Sequence, residues 1–199
     1  MDGENGTKIV YEKYGWANDK SELRNKALGL LGKEIDYVLV VDADEVWKHE
    51  DLDKLVKAFK LHPHIGVFLI PFYHFWKQRD LIAVGSMWDS YLFRCFRFAD
   101  KNLHWDRHET PVVNSQGRFI NKTDGAIVVE GAHIYHYGYC KNAKNIKDKL
   151  EYYKKRDTNL NVKDTWSNWK PGMETQPTHG KGDVKKFSGK HPEEIDKIL

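Results

Sequence analysis

The sequence predicts an α/β fold in which a mixed sheet is flanked by helices within a single domain. Segments with helical periodicity alternate with apolar segments rich in β-branched and aromatic residues, an order that is typical of α/β proteins. One apolar segment, residues 38–41, runs directly into three acidic residues, as strands do where they end at a binding crevice. The 199 residues are enough for one domain with a hydrophobic core.

The first third of the chain predicts two strands and two helices. Residues 8–14 have a short strand pattern, and the capping-box spacing of Asp19 and Glu22 indicates the start of a helix. Residues 37–41 are expected to form a central strand buried on both faces, because the segment is continuously apolar. Asp51 is expected to cap the second helix. The expected buried faces carry Leu23, Ala27, Leu30 and Leu31 in the first helix and Leu52, Leu55, Val56 and Phe59 in the second.

The rest of the chain predicts more strands and a basic helix. Residues 65–75 form a strongly apolar strand, in which Pro71 indicates an edge position or a bulge. Residues 90–98 alternate between apolar and polar side chains and predict another strand, joined to the first by a hairpin-like connection. The remaining expected elements are short strands at 127–129 and 132–137, a helix at 142–156, a loop or lid at 157–189 and a short helix at 191–199.

Composition narrows the classes of protein to which the chain can belong. The net charge of +3 is too small to predict nucleic-acid binding. No apolar segment approaches the length of a membrane span and no signal peptide is recognisable, which predicts a cytoplasmic location. Peripheral membrane association stays open, because the helix at 142–156 is basic. The two cysteines, Cys95 and Cys140, are expected to be reduced thiols.

The acidic residues after the apolar strand indicate a metal site. Asp42, Asp44 and Glu45 offer hard carboxylate oxygens, which suit Mg²⁺ or Mn²⁺, and such ions commonly bind together with phosphates. The pattern therefore predicts a site for a metal and a diphosphate. The structural alternative is that the two aspartates cap the turn between the strand and the next helix.

Two histidine motifs follow the acidic segment. The first contains His104 and His108, and the second contains His133 and His136. In a strand, His133 and His136 would point to opposite faces, so only one of them can join the acidic site. A single histidine is more often a packed or surface residue than a ligand, but a carboxylate pair needs further ligands.

The most suitable general base is Glu109. A carboxylate at the crevice could deprotonate the hydroxyl group of an acceptor. The structural alternative for Glu109 is an ion pair with Arg107 or Arg94, and Asp89 and Asp106 are rival candidates for the base.

Arg24 lies on the helix ahead of the apolar strand, next to Asn25. Its guanidinium group suits bidentate contact with a diphosphate or a carboxylate. A solvated helix face is the structural alternative.

These motifs occur in a fixed order along the chain: Arg24-Asn25, an apolar strand, Asp42-Ala43-Asp44-Glu45, His108-Glu109 and His136-Tyr137-Gly138-Tyr139. In this order they resemble glycosyltransferase family 2. An Asp-x-Asp motif alone is weak, whereas the ordered set is more specific. The closing segment, residues 187–192, also resembles the tail of such proteins.

The resemblance implies a GT-A-like (Rossmann-like) fold, a nucleotide-diphospho-sugar donor such as a UDP- or GDP-sugar, and Mn²⁺ or Mg²⁺. It implies that Asp42 and Asp44 bind the metal and the donor, that His136 completes the metal ligands, and that Arg24 contacts the donor. Such enzymes are inverting, so one carboxylate should act as general base, and Glu109 is assigned to this role. The expected reaction is hexosyl transfer to a hydroxyl group of a glycan, lipid or protein.

The chain departs from the family pattern ahead of Arg24. Family members place a strand and a helix that hold the nucleotide base before the Arg-Asn helix, and the sequence has no evident counterpart of them. The expected organisation is a truncated GT-A-like catalytic domain over residues 1–157, with residues 158–199 as the lid and tail of the same domain. A partner chain or a second copy is expected to complete the N-terminal part.

Two alternatives to a transferase remain open. Residues 38–46 also match the apolar strand and Asp-x-Asp-x-Val pattern of haloacid-dehalogenase-like phosphatases, in which Asp42 would be the nucleophile. A convincing downstream pair of aspartates does not accompany this pattern. The other alternative is a non-catalytic module that binds a nucleotide-sugar.

Overall fold

The computed structural model describes most of the chain in two compact units. Unit 1 contains Met1–Leu39, His64–Val67 and Cys95–Ile127, and unit 2 contains Val40–Pro63, Phe68–Arg94 and Val128–Leu199. The residues described are 12–15, 20–85, 88, 91–98, 102–106, 112–156, 166–167, 169–170 and 183–197. The predicted strand at residues 8–14 and the lid at 157–189 fall largely outside these ranges, and the boundary at residue 157 therefore stays a prediction.

The described elements confirm the predicted mixture of helices and strands. The helices are α1 (Lys20–Gly29), α2 (His49–Leu61), α3 (Ile120–Thr123) and α4 (Ala143–Arg156), with a 3-10 helix at Glu193–Lys197. The strands are β1 (Tyr37–Leu39), β2 (Glu45–Val46), β3 (Val67–Trp76), β4 (Gln78–Val84), β5 (Tyr91–Arg97), β6 (His104–Trp105), β7 (Val112–Val113), β8 (Ala126–Val128), β9 (Ile134–Tyr139) and β10 (Asp183–Lys186).

Unit 1 corrects two expectations about burial. Strand β1 pairs with the end of β5, and all three of its residues are only half-buried, so it is not a central strand buried on both faces. In α1 the buried apolar residue is Leu28, whereas Leu30 and Leu31 are 42% and 37% exposed. The reason is that α1 ends at Gly29, so Leu30 and Leu31 do not share its buried face.

The sheet of unit 2 is mixed and has β3 at its centre. Strand β9 lies parallel to β3, with Tyr73 opposite Tyr135, and β4 lies antiparallel to β3. Strand β2 pairs with β9, and β10 pairs with β4. The predicted strand at 65–75 is confirmed. The connection predicted over residues 78–89 contains the strand β4, which forms a hairpin with β3 through Lys77 at a positive φ of 63°. Strand β10 falls within the loop predicted over residues 157–189, because its residues are mostly polar and lack a strand pattern.

Two apolar clusters hold the sheet of unit 2 in place. On one face, Ile146 and Leu150 of α4 pack against Trp76 and Tyr139. On the other face, Phe75 stacks on Tyr137, with ring centroids 4.5 Å apart. Burial of an aliphatic or aromatic side chain contributes about 1.5–3 kcal/mol. Together the two clusters fix the position of β3 against β9. The polar residues that alternate with the apolar ones on these two strands are held in place as a result.

Helix α2 begins differently from the prediction. Lys48 occupies the N-cap position without a side-chain hydrogen bond to the helix, and Asp51 lies in the first turn, where it pairs with Lys54 at 3.0 Å. Leu55 is buried as expected, but Val56 is 46% exposed. Neither Asp42 nor Asp44 caps this helix, so the capping alternative for these aspartates is wrong. No helix in the described part of the chain is long and apolar enough to cross a membrane.

Candidate active site

Backbone pairing in unit 2 brings the acidic segment next to the second histidine motif. Strand β2 follows the two aspartates directly and places Glu45 opposite His136 of β9. The backbone N–H of Tyr137 donates to the carbonyl of Asp44 at 2.8 Å and extends this pairing by one residue. The two motifs are far apart in sequence, and this antiparallel ladder unites them.

The carboxylate of Asp44 lies among nitrogen-bearing side chains. Its Oδ1 is 3.7 Å from Nε2 of His136, and its Oδ2 is 3.6 Å from Nζ of Lys141 and 3.9 Å from Nζ of Lys149. Although burial opposes ionisation, His136 and the ammonium groups of Lys149 and Lys141 hold the pKa of Asp44 below its ordinary value. The side chain of Asp44 is 26% exposed, so its carboxylate is accessible to a ligand.

Asp42 points to a different partner. Nη2 of Arg94 donates to Oδ2 of Asp42 at 2.6 Å, and Nε of Arg94 donates to Oε1 of Glu45 at 3.0 Å. The carboxylate of Glu45 also accepts the backbone N–H of Asp42 at 3.2 Å. The side chain of Glu45 is fully buried and that of Arg94 is 10% exposed. Glu45 therefore orients the acidic segment, through a buried arginine.

Gly138 lies directly against the side chains of Asp44 and His136. A Cβ atom at this position would lie 2.5 Å from Nε2 of His136 and 2.7 Å from Oδ2 of Asp44. Both distances are shorter than such contacts allow, so any side chain here would displace the two groups. Lys149 closes another side, since it donates to the carbonyl of Gly138 at 3.3 Å and lies over the ring of Tyr139.

The described residues fit the expected metal only in part. Among them, no three His, Cys, Asp or Glu side chains are grouped so that they could hold a metal ion. Asp44 and His136 offer a carboxylate oxygen and an imidazole nitrogen, both of which suit Mn²⁺. Asp42 already accepts a hydrogen bond from Arg94, so a metal would have to bind it beside or instead of that guanidinium. Metal ligation by Asp42, Asp44 and His136 stays a prediction.

A second histidine lies behind His136. The Nδ1 atoms of His74 and His136 are 3.0 Å apart and share a hydrogen bond. Burial, together with the neighbouring imidazole and Lys149, lowers the pKa of His74 to about 3. Burial and Lys149 lower the pKa of His136 to about 4, although Asp44 opposes this. Both imidazoles are therefore neutral at neutral pH.

The stability of the protein should depend on pH through these two histidines. Unfolded, each imidazole binds a proton near its ordinary pKa of 6.5, whereas the folded protein excludes that proton until about pH 4 or below. The free energy of unfolding should therefore fall as the pH falls from 7 to 5, by roughly 1–2 kcal/mol for each histidine. Urea titrations at both pH values in EDTA measure this difference. His74→Phe should reduce the difference, and His49→Phe, at an exposed histidine, should not; equal differences in both variants would contradict the assignment.

The predicted donor contact Arg24 lies in unit 1. Its guanidinium group lies over the ring of Trp105, 4.6 Å from the centroid. The side-chain amide of Asn25 donates to the carbonyl of Trp105 at 3.0 Å and accepts its N–H at 2.7 Å. Arg24 and Asn25 are half-buried and tie α1 to β6, so they do not form a solvated helix face. A contact between Arg24 and the donor stays a prediction.

The predicted general base cannot be placed. Glu109 lies outside the described residues, together with Arg107, His108 and Asp89. Asp106 is described and is exposed. Arg94, which the sequence offered as an ion-pair partner of Glu109, pairs with Glu45 and Asp42.

Sequence reasoning missed three residues of this site. His74 is hidden within an apolar strand, and Lys141 lies in a turn with no distinctive motif. Lys149 lies three residues after Ile146 and so flanks the buried stripe of α4. The other lysines of α4 give the same sequence signal of a basic helix, so only helix packing identifies the one that reaches Asp44.

Comparison with known proteins identifies the family. The family model described as Glycosyl transferase family 2 matches residues 4–125 of the chain. A search of curated proteins found no match. The matched region is more than half of the sequence and includes the acidic segment and the His-Glu motif predicted from the sequence. The chain therefore belongs to glycosyltransferase family 2 and is a glycosyltransferase of the GT-A type.

Proposed function

We propose that the chain is a metal-dependent inverting transferase that moves a hexosyl group from a UDP- or GDP-sugar to a hydroxyl group. The acceptor would be a glycan, a lipid or a protein. The observation that carries this proposal is the set of groups around the carboxylate of Asp44: one imidazole and two ammonium groups lie within 4 Å of it.

The charges at this site suit a diphosphate. When the glycosidic bond to the donor phosphate breaks, negative charge develops on the diphosphate, and preorganised positive groups stabilise that charge. Lys141 and Lys149 supply two such groups, and they also offset the negative charge of Asp44. A divalent cation bound by Asp44 and His136 would add Lewis-acid stabilisation of the same leaving group.

Arg94 supports the site without a direct role in the reaction. By pairing with both Asp42 and Glu45, it fixes the backbone between β1 and β2, and with it the position of Asp44. A carboxylate that is held in place before the donor binds loses little freedom on binding, which favours affinity and rate.

A ligand screen tests the donor and the metal together. Melting temperatures should be measured with a panel of nucleotide-sugars, each with and without Mn²⁺. A ligand that binds the folded state raises its apparent stability by mass action, so we expect a shift that needs both Mn²⁺ and one class of nucleotide. No shift with any combination would contradict the proposal. A shift in melting temperature that occurs without Mn²⁺ would show that donor binding does not require the metal.

Glu109→Gln tests the base. Glutamine keeps the shape of the side chain but cannot accept a proton, so donor binding should persist while transfer falls by about 10²–10⁴-fold. Donor binding and sugar transfer should be measured for this variant beside Asp106→Asn and Asp89→Asn. Full activity of Glu109→Gln, with loss in one of the other two, would move the role of base to that residue.

The non-catalytic alternative makes a different prediction for the wild-type protein. It expects donor binding without either transfer or donor hydrolysis, whichever acceptor is offered. A cytoplasmic location also stays a prediction.

A further inference from the structure

The carboxylate of Asp44 presents one of its two oxygens to a pair of ammonium groups. Nζ of Lys141 lies 3.6 Å from Oδ2, and Nζ of Lys149 lies 3.9 Å from the same atom. The other oxygen, Oδ1, faces the imidazole of His136. Both separations from Oδ2 exceed the roughly 2.7–2.9 Å of a close hydrogen bond between ionised groups. Two positive charges therefore approach Oδ2, and neither binds it tightly.

Lys149 is held in this arrangement by its own contacts. Its ammonium group donates to the carbonyl of Gly138 at 3.3 Å and lies 4.4 Å from the centroid of the Tyr139 ring. The helix that carries it, α4, is fixed because Ile146 and Leu150 are buried against the sheet. A movement of this ammonium group towards a ligand would break the hydrogen bond and the cation–π contact together.

Lys141 is placed differently, in the connection between β9 and α4, and its side chain is 39% exposed. The backbone of this connection is fixed on both sides. The N–H of Cys140 donates to the carbonyl of Tyr137 at 2.9 Å. Beyond Lys141, the side chain of Asn142 accepts the N–H of Asn145 at 2.9 Å and caps α4. An exposed ion pair contributes little to stability, so the side chain of Lys141 can exchange Asp44 for another anion at little cost.

Sugar transfer adds negative charge to the diphosphate that leaves. The bond between the sugar carbon and the terminal phosphate oxygen breaks, and its electron pair stays on that oxygen. The acceptor oxygen forms the new bond to the carbon and gives its proton to the general base. The terminal phosphate then has a second ionisation, near pH 6 for a phosphate group, so the released diphosphate is more negative than the donor was. An ammonium group therefore attracts the leaving group more strongly than the donor.

We propose that Lys141 is a catalytic residue: its ammonium group turns from Oδ2 of Asp44 to the terminal phosphate of the leaving diphosphate, while Lys149 stays in place as a fixed positive charge. The inference rests on the proposed function for the sugar-nucleotide donor but does not use a cation. The two lysines thus differ in role. Lys149 keeps Asp44 in position, and Lys141 follows the charge that develops on the leaving group.

Binding in EDTA tests the contact with the diphosphate. Isothermal titration calorimetry should be run with inorganic pyrophosphate, with UDP and GDP, and with the corresponding sugar nucleotides. We expect the wild-type protein to bind pyrophosphate and one nucleoside diphosphate, and to bind the latter more tightly than its sugar nucleotide. Lys141→Gln should weaken diphosphate binding about 10–100-fold, as expected for the loss of a hydrogen bond to a charged group, and Lys141→Arg should keep most of it. The matched control, Lys144→Gln at an exposed position of α4, should leave binding unchanged.

Steady-state kinetics test when the contact forms. Because Lys141 reaches the terminal phosphate as the bond breaks, Lys141→Gln should lower kcat about 10–100-fold and change the KM for the donor less than about threefold. Lys149→Gln should instead raise the KM for the donor, because it removes a fixed charge that the donor meets on binding. The structural alternative, a surface ion pair between Lys141 and Asp44, predicts no change in kcat or in inhibition by the nucleoside diphosphate.

The outcomes separate this inference from the proposed function. If Lys141→Gln binds the nucleoside diphosphate as tightly as the wild-type protein does and keeps its kcat, the role of Lys141 is overturned and the transferase stands. If pyrophosphate binding depends on Lys141 but no nucleotide binds, the contact with a diphosphate is supported and the nucleotide donor is overturned. If neither pyrophosphate nor a nucleoside diphosphate binds in EDTA, the inference is overturned, and the screen with Mn²⁺ decides the proposed function by itself. Thermal unfolding of each variant shows whether a loss of binding reflects a loss of fold.

Discussion

Replacing Asp44 with asparagine should abolish the Mn²⁺-dependent stabilisation by a nucleotide-sugar and leave the fold intact. The amide keeps the size of the side chain but loses the negative charge that attracts a cation. Loss of a residue that hydrogen-bonds a metal ligand typically weakens metal affinity about 10–100-fold. Loss of the ligand itself should therefore weaken the affinity by more than about 100-fold. The melting temperature with and without Mn²⁺ and donor measures the effect, and sugar transfer should be lost in parallel.

The matched control for Asp44 lies on α2. Asp53→Asn makes the same chemical change at an exposed position of that helix and should leave the ligand-induced shift unchanged. Since Lys141 and Lys149 would lose a neighbouring carboxylate, metal-free binding of a nucleoside diphosphate to Asp44→Asn could even strengthen. If the Mn²⁺-dependent shift in melting temperature is the same in Asp44→Asn as in the wild-type protein, Asp44 is not a metal ligand.

Arg94→Met should destabilise the fold by about 3–5 kcal/mol, because it leaves a buried carboxylate without its partner. The side chain of Glu45 is fully buried, and Arg94 bonds it through Nε and Nη2. Burial raises the pKa of Glu45 despite the guanidinium, so without Arg94 the glutamate has to be protonated or move. The midpoint of urea unfolding measures this loss.

A second arginine on the same strand provides the control. Arg97 pairs with Asp124, but both side chains remain partly exposed, at 29% and 37%, so Arg97→Met should cost less than about 1 kcal/mol. The double variant Arg94→Met with Glu45→Gln should be more stable than the sum of the two single changes predicts, because the buried charge is removed with its partner. Equal effects at Arg94 and Arg97 would show that the buried pair contributes no more than a surface pair.

The sequence by itself determined the longest elements and the family of the protein. Periodicity placed α2, α4, β3 and β5 close to their observed bounds, because these elements are long and their apolar residues recur regularly. The ordered motifs indicated the family that the family model then matched. The sequence also selected Asp44 and His136, which the structure brings to within 3.7 Å of each other.

Only the tertiary structure decided which groups these residues face. Asp42 and Asp44 are equivalent in the motif, yet one lies against Arg94 and the other beside Lys141 and Lys149. The partnership of His74 with His136 depends on the register of two strands that are distant in sequence. A local pattern reports the periodicity of one segment, whereas pairing register and helix packing are set by contacts between segments. For that reason, the sequence predicted the acidic site but not its contacts with Arg94, Lys141 and Lys149, nor the pairing of His74 with His136.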